Sequence, residues 1–252
     1  MATIRHVAER ARVSVATVSN VITGKKKVRP ETTERVNEAI RELNYSQSSA
    51  ARDLAVGRSR IVGFVISDIQ NPFFPEIIKG FQDQALAHQM DTVVMNTNYD
   101  PHRTLTFVNR LLALRVPGVA LMTSEIEPSV TTSLLENKVC AVFLDHGHAG
   151  PLTSNIVIDY AQGIEEAVSH LRALGHGKIA FIGGPAHLAS AQMRKRAFLQ
   201  LVPDSAQQKV LDSDFTVKGG YFACSKLLCR KPPTAIIAAN DLMAIGAAHC
   251  AY

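Results

Sequence analysis

Val15, Ala16, Ser19 and Asn20 bring methyl, hydroxyl and amide groups together within one and a half helical turns, a surface suited to the edges of DNA bases. They are what remains of a short helix once its apolar face, Val18, Val21 and Ile22, is turned inward. Ser14 can cap that helix and Thr23-Gly24 stop it, so the four residues fall near its N-terminal end, where a recognition helix contacts bases. Lys25, Lys26, Lys27 and Arg29 follow in a connection outside every apolar stripe. There they can neutralise phosphates, adding affinity without sequence choice. Residues 1–60 hold 12 Lys and Arg against 6 Asp and Glu, a net of +6, while the remaining 192 hold 15 against 16, a net of −1. That division suits a small module that approaches a polyanion and a larger, nearly neutral one that keeps the molecule soluble.

A second group of candidates lies beyond residue 60. Asp68-Ile69-Gln70-Asn71-Pro72-Phe73-Phe74 places Asn71 beside two aromatics, one of which could cover the face of a sugar or purine while the other plugs the core. Asp145 and Asn240-Asp241 end apolar runs and Asp159 follows the short run 155–158; each could hydrogen-bond to ligand hydroxyls, Asp241 having helix capping as its alternative role.

The elements that must position these groups follow from periodicity. Ile4, Val7, Ala8 and Ala11 stripe a first helix over 4–11, with Thr3 as N-cap. The second helix runs from Ser14 to about Ile22, and a third starts at Pro30 with Val36, Ala39, Ile40 and Leu43 as its stripe. The Ala/Arg/Leu segment 48–59 is helix-prone but too short to be stable alone, and reads as a linker that folds on contact. Its Leu54 would suit an apolar wedge entering the minor groove. From Ile61 onward, apolar runs at 61–67, 92–97, 118–124, 140–145, 178–184 and 235–240 read as parallel strands. Helices are expected near 74–89, 102–114, 127–137, 161–174 and 217–229. In such sheets ligands sit beyond the carboxyl ends of strands, where the candidates above fall.

Other classes are disfavoured. No export signal opens the chain and no apolar run reaches a membrane span, so the cytoplasm is the expected location. Cys140, Cys224, Cys229 and Cys250 lack CxxC spacing and read as reduced, mostly buried thiols. His146 and His148 form the only close histidine pair, without the further ligands of a metal site. Gly183-Gly184 is no dinucleotide fingerprint, Gly24-Lys25 no P-loop, and no GxSxG elbow occurs, so neither an enzyme nor a cofactor is expected.

The run SVATVSNVITG, then VRPETTERVNEAIRELNY, AARDL and GRSRIVGFVISDIQNPFF, resembles the lac-repressor (LacI/GalR) family of transcription regulators, and the resemblance extends through essentially the whole chain. It implies an all-α helix-turn-helix headpiece over 1–46, a hinge over 47–60, and an α/β periplasmic-binding-protein-like effector domain over 61–252. That domain would have two parallel-sheet subdomains meeting near 159–162. It also implies a homodimeric repressor reading a pseudo-palindromic operator, modulated by a small polar metabolite, a sugar first among them. By the same resemblance, Val15, Ala16 and Asn20 contact bases, Ser14, Thr17 and Ser19 help hold phosphates, Ala51 belongs to the hinge contact, and Leu54 is the wedge. Arg194 anchors the effector, Ser190 faces the same cleft one turn earlier, and Phe215 lines the second subdomain's side.

Several positions depart from the family pattern. His6 stands where an acidic residue is usual, Arg12 replaces the glycine that ends the first helix, and Gln47-Ser48 replace Pro-Asn. Arg12 is therefore expected in a left-handed conformation costing roughly 1 kcal/mol, and Asp53 is expected to point away from DNA. The stretch Leu199 to Asp214 is shorter than usual and lacks a glycine before Phe198. The family continues past the position of Tyr252, so the resemblance implies a C-terminally incomplete effector domain.

Overall fold

The structure, a computed structural model, describes residues 2–24, 26–45, 59–123, 126–145, 150–202, 209–229 and 231–252. Lys25, Gln47, Ser48, Ala51, Asp53, Leu54, His146 and His148 lie outside the described residues. The chain divides into two compact units, Met1–Ser59 and Arg60–Tyr252.

The first unit holds α1 (Ile4–Ala11), α2 (Val15–Thr23) and α3 (Pro30–Glu42). Its core is Val7, Ala8, Ala11, Val18, Val36 and Ala39, the residues the 3.6-fold pattern selects. Thr3 caps α1 through a reciprocal pair: its hydroxyl accepts from His6 N, and its own N–H donates to His6 Nδ1 at 3.3 Å. At the other end of α1, Arg12 adopts φ 53°, ψ 49°. The Arg35 guanidinium donates to the carbonyls of Ala11 and Arg12, and an exposed Arg10–Glu42 ion pair at 2.7 Å joins α1 to α3.

In the second unit, β1 (Ile61–Ile66), α4 (Phe73–Ala87), β2 (Asp91–Asn96), α5 (Pro101–Ala113), β3 (Gly118–Met122), α6 (Pro128–Glu136), β4 (Cys140–Leu144) and β5 (Thr153–Ile156) form a five-stranded parallel sheet ordered β2-β1-β3-β4-β5. Alternate residues supply its two faces. Phe64, Ile66, Ala120 and Met122 pack on Phe74 and Ile78 of α4, whereas Val65, Val119, Leu121 and Phe143 pack on Val108 and Leu111 of α5 and on Val130 and Leu134 of α6.

The chain then enters α7 (Tyr160–Ala173), β6 (Ile179–Gly183), α8 (Ala189–Leu201), β7 (Val210–Asp212), α9 (Val217–Cys229), β8 (Ala235–Ala238) and α10 (Asp241–Ala251). These build a second parallel sheet ordered β7-β6-β8, with β6 buried along its whole length. Phe181 and Phe198 stack at 5.0 Å in its core.

Three sequence expectations need correction, and one strand escapes the sequence pattern. The run after β4 pairs as a strand at Thr153–Ile156 rather than 155–158, because its register is set by Ala141 to Leu144. Strand β7 is too short to show periodicity. Of the four free cysteines only Cys224 is buried, while Cys140 and Cys229 are exposed and Cys250 is intermediate. The cap of α10 is Asn240, whose Oδ1 accepts from Met243 N at 2.9 Å; Asp241 is the first residue of the helix.

Candidate functional site

On the headpiece, α2 is fixed at both ends. Ser14 Oγ accepts from Thr17 N at 3.1 Å and sits 2.9 Å from the Thr17 hydroxyl, and Gly24 closes the helix at φ 68° with its N–H on Asn20 O. Val18 is buried, which turns Val15 and Ala16 outward, Val15 being 41% exposed. Ser19 and Asn20 are half-buried on the adjoining face, and no described residue hydrogen-bonds the Asn20 amide. Lys26, Lys27 and Arg29 are exposed in the connection before α3. Helix ends, apolar face and cationic loop thus leave a strip of methyl, amide and ammonium groups available to a partner.

In the second unit, a cleft of about 770 Å³ including its open mouth lies beyond the carboxyl ends of strands from both sheets. Ser67, Thr123 and Asp145 reach it from β1, β3 and β4; Asn240 and Phe215 line the side of the second sheet. The walls also include Asn71, Phe73, Phe74, Ser190 and Arg194. Phe74 is 6% exposed and serves the core, whereas Phe73 is 40% exposed, so the adjacent aromatics split between packing and surface. Asn71 holds the turn into α4, its Oδ1 accepting from Phe73 N at 3.1 Å.

Asp159 is not among the lining residues. Its carboxylate caps α7, accepting from Gln162 N at 2.9 Å, and a helix start there outcompetes a role in the cleft. Tyr160, the next residue, was not singled out by the sequence and occupies the middle of the site. Its hydroxyl donates to Asp145 Oδ2 at 2.5 Å, and Asp145 Oδ1 accepts from Ile158 N at 2.9 Å. The Arg194 guanidinium lies 4.0 Å from the Tyr160 ring centroid and donates to Ser190 O at 3.0 Å. Burial and the Asp145 carboxylate together push the Tyr160 phenol well above its ordinary value, so it remains a donor. Burial pulls Arg194 down from its ordinary value, offset by Tyr160 and Asp145. Arg196, two residues on, is exposed.

Phe215 is held at φ 66°, a costly conformation for a bulky residue. Two features secure it: Asn240 Nδ2 donates to its carbonyl at 3.0 Å, and a Cβ at Gly184 would overlap its ring. Gly184 thus leaves the space that the Phe215 ring fills, and its signal in the sequence, a Gly-Gly pair ending a strand, is easily read as a simple turn. Tyr99, in left-handed backbone at φ 60°, brings its ring to 6.2 Å from that of Phe215. Among the described residues no group of three or more His, Cys, Asp or Glu is placed to hold a metal, and no helix is long and apolar enough to cross a membrane.

Residues 3–48 match the family described as bacterial regulatory proteins of the lacI family, and residues 59–252 match the periplasmic binding proteins and sugar binding domain of LacI family. Catabolite control protein A of Staphylococcus xylosus is 32% identical over 254 residues, covering 99% of this chain and 77% of that protein. The HTH-type transcriptional repressor PurR of Mannheimia succiniciproducens is 32% identical over 254 residues, covering 98% and 76%. Among solved structures, a lac repressor dimer bound to operator and the anti-inducer ONPF superposes with a TM-score of 0.82 at 28% identity, over 99% of this chain and 77% of that one. A transcriptional regulator CelR–cellobiose complex superposes with a TM-score of 0.65 at 27% identity.

Proposed function

The chain belongs to the LacI family of bacterial regulatory proteins, and from that premise we propose which of its surfaces act on DNA and on a small-molecule effector. It is a DNA-binding transcription regulator and not an enzyme, and its partners are an operator duplex, a second copy of itself and a small-molecule effector. Repression is the expected mode, as in the repressors it resembles, and the cytoplasm the expected place of action.

In our reading Val15 and Ala16 lay methyl groups against thymine, and Asn20 makes a bidentate amide contact to adenine. Ser14, Thr17 and Ser19 stand next to the phosphates, although the Ser14 and Thr17 hydroxyls also serve the cap. Lys26, Lys27 and Arg29 add non-specific charge, and residues 25, 51 and 54 would complete the contact. The observation that carries this reading is the exposed face of α2 beside a cationic connection, within a stretch that matches the family over residues 3–48.

The effector is proposed to be a sugar or similarly hydroxylated molecule. Arg194, Asp145, Ser190, Asn71 and Asn240 ring the cleft with donors and acceptors, and Phe73 and Phe215 offer faces to a ring. The repression mechanism is a coupling: effector and DNA favour different arrangements of the dimer, and about 1–3 kcal/mol of coupling shifts operator occupancy 5- to 150-fold.

Selection from random duplexes with the purified chain, repeated with a panel of sugars and nucleobases, tests both halves. The expected yield is a two-fold symmetric site whose recovery one panel member changes and whose affinity falls steeply with salt. Recovery of duplexes without any shared sequence would overturn the DNA assignment.

A further inference from the structure

Helices α9 and α10 run side by side with their backbones almost in contact. A Cβ placed on Gly220 would collide with the backbone of Met243, and one on Gly246 with the carbonyl of Val217. Each glycine is followed four residues later, one turn along the same face, by a cysteine: Gly220 by Cys224 and Gly246 by Cys250. The close approach that the glycines permit therefore carries the two thiols together on the facing sides of the crossing, near enough to interact electrostatically. A disulfide needs Cα atoms about 4.4–6.8 Å apart. Helices at the usual 8–10 Å axial spacing seldom bring two side chains that near, whereas a glycine-on-backbone crossing does.

Both helices begin at the cleft wall. Helix α9 starts two residues after Phe215 and α10 directly after Asn240, and Asn240 Nδ2 donates to Phe215 O. Their relative placement sets where these two lining residues stand. We propose that Cys224 and Cys250 are a redox modification site, a dithiol that hydroperoxides convert to a disulfide and that, once closed, pins this wall of the cleft.

The order of events follows from exposure. Cys224 is fully buried, while Cys250 is partly open and packs on the same core. Burial and the neighbouring thiol push Cys224 up to about 11, so it is not the sulfur that attacks peroxide first. Peroxide transfers one oxygen to Cys250, giving a sulfenic acid and one water or alcohol. The Cys224 sulfur then displaces that oxygen; the S–S bond forms, the S–O bond breaks, and the departing hydroxide takes the Cys224 proton as water. Two thiols are oxidised and one peroxide is reduced.

The test uses the full chain treated with hydrogen peroxide, alkylated, and digested without reductant for peptide mass mapping. The expected product is a single intramolecular Cys224–Cys250 link, two hydrogens lighter than the dithiol and reversed by dithiothreitol. The exposed Cys140 and Cys229 should still take the alkylating reagent. Oxidised protein should melt roughly 5 °C or more above reduced protein, and Cys250→Ser should abolish both the link and the shift. The mapping stands without that variant, should it fold poorly. Cys224 and Cys250 both remaining alkylated, or links running through Cys140 or Cys229 instead, would overturn the assignment; a correct link with unchanged melting would overturn the pinning.

Discussion

The headpiece buries nothing larger than valine among its described core residues, whereas the effector domain fully buries Phe64, Phe143, Phe181 and Phe198. Their working surfaces differ in the same sense. On α2 the Val15 and Ala16 side chains stand in solvent, as do the nearby Lys26, Lys27 and Arg29. In the cleft, Tyr160, Asp145, Arg194, Asn240 and Phe215 are already engaged with one another or with backbone. A long, regular polyanion can order the groups that bind it, because many phosphate contacts share the entropic cost. A small ligand has few atoms with which to do so, so discrimination has to be built into the unliganded site.

The contrast can be broken first at its foundation. Phe198→Ala removes one ring of the Phe181 stack and should cost the effector domain about 3–5 kcal/mol. The headpiece, with a separate core, should keep its NMR spectrum unchanged. Loss of headpiece peaks in parallel would show that the two units do not fold independently.

The next effect is on DNA. Replacing Lys26, Lys27 and Arg29 by Gln should reduce the slope of log affinity against log salt by about 3, one per phosphate contact, with no change in the preferred sequence. A changed preference would mean that these cations read bases. Within the cleft, Tyr160→Phe keeps the ring under Arg194 but strips Asp145 of its phenol donor, for about 1.5–3 kcal/mol. Because the folded-state phenol is raised, its contribution is full below the ordinary tyrosine value near 10 and declines only as pH rises above it. Chemical denaturation of both proteins at neutral pH and above 10 should show the difference narrowing.

How much of each region was legible in the sequence follows from the same contrast. Headpiece contacts are local: one stripe of Ile4, Val7, Ala8 and Ala11 gives α1, and subtracting Val18, Val21 and Ile22 from α2 gives its outward face. The cleft joins residues from Ser67 to Asn240, and no local pattern shows that Tyr160 will meet Asp145 fifteen positions earlier. Strand ends located the neighbourhood of Asp145 and Asn240, because parallel sheets gather their carboxyl ends. They could not separate Asp159, consumed by a helix cap, from Tyr160 beside it. Cysteine burial failed for a related reason: exposure of Cys140 depends on strand register, which composition does not encode.

Two headpiece positions sharpen the comparison with the smallest effects. Arg12 sits at φ 53°, so Arg12→Gly should stabilise the headpiece by about 1 kcal/mol. His6→Asp would keep an acceptor for Thr3 N and put a negative charge in the first turn of α1, which now has none; thermal melts of the headpiece should show a gain of about 0.3–1 kcal/mol. Either substitution also removes positive potential or adds negative potential on the most cationic part of the chain, so each should weaken DNA binding while strengthening the fold. At both places the residue present gives lower helix stability and a less negative potential than its replacement would, as expected where a polyanion orders the surface. If His6→Asp instead raised both melting temperature and DNA affinity, that opposition would be absent, and the headpiece would have to be regarded as preorganised in the way the cleft is.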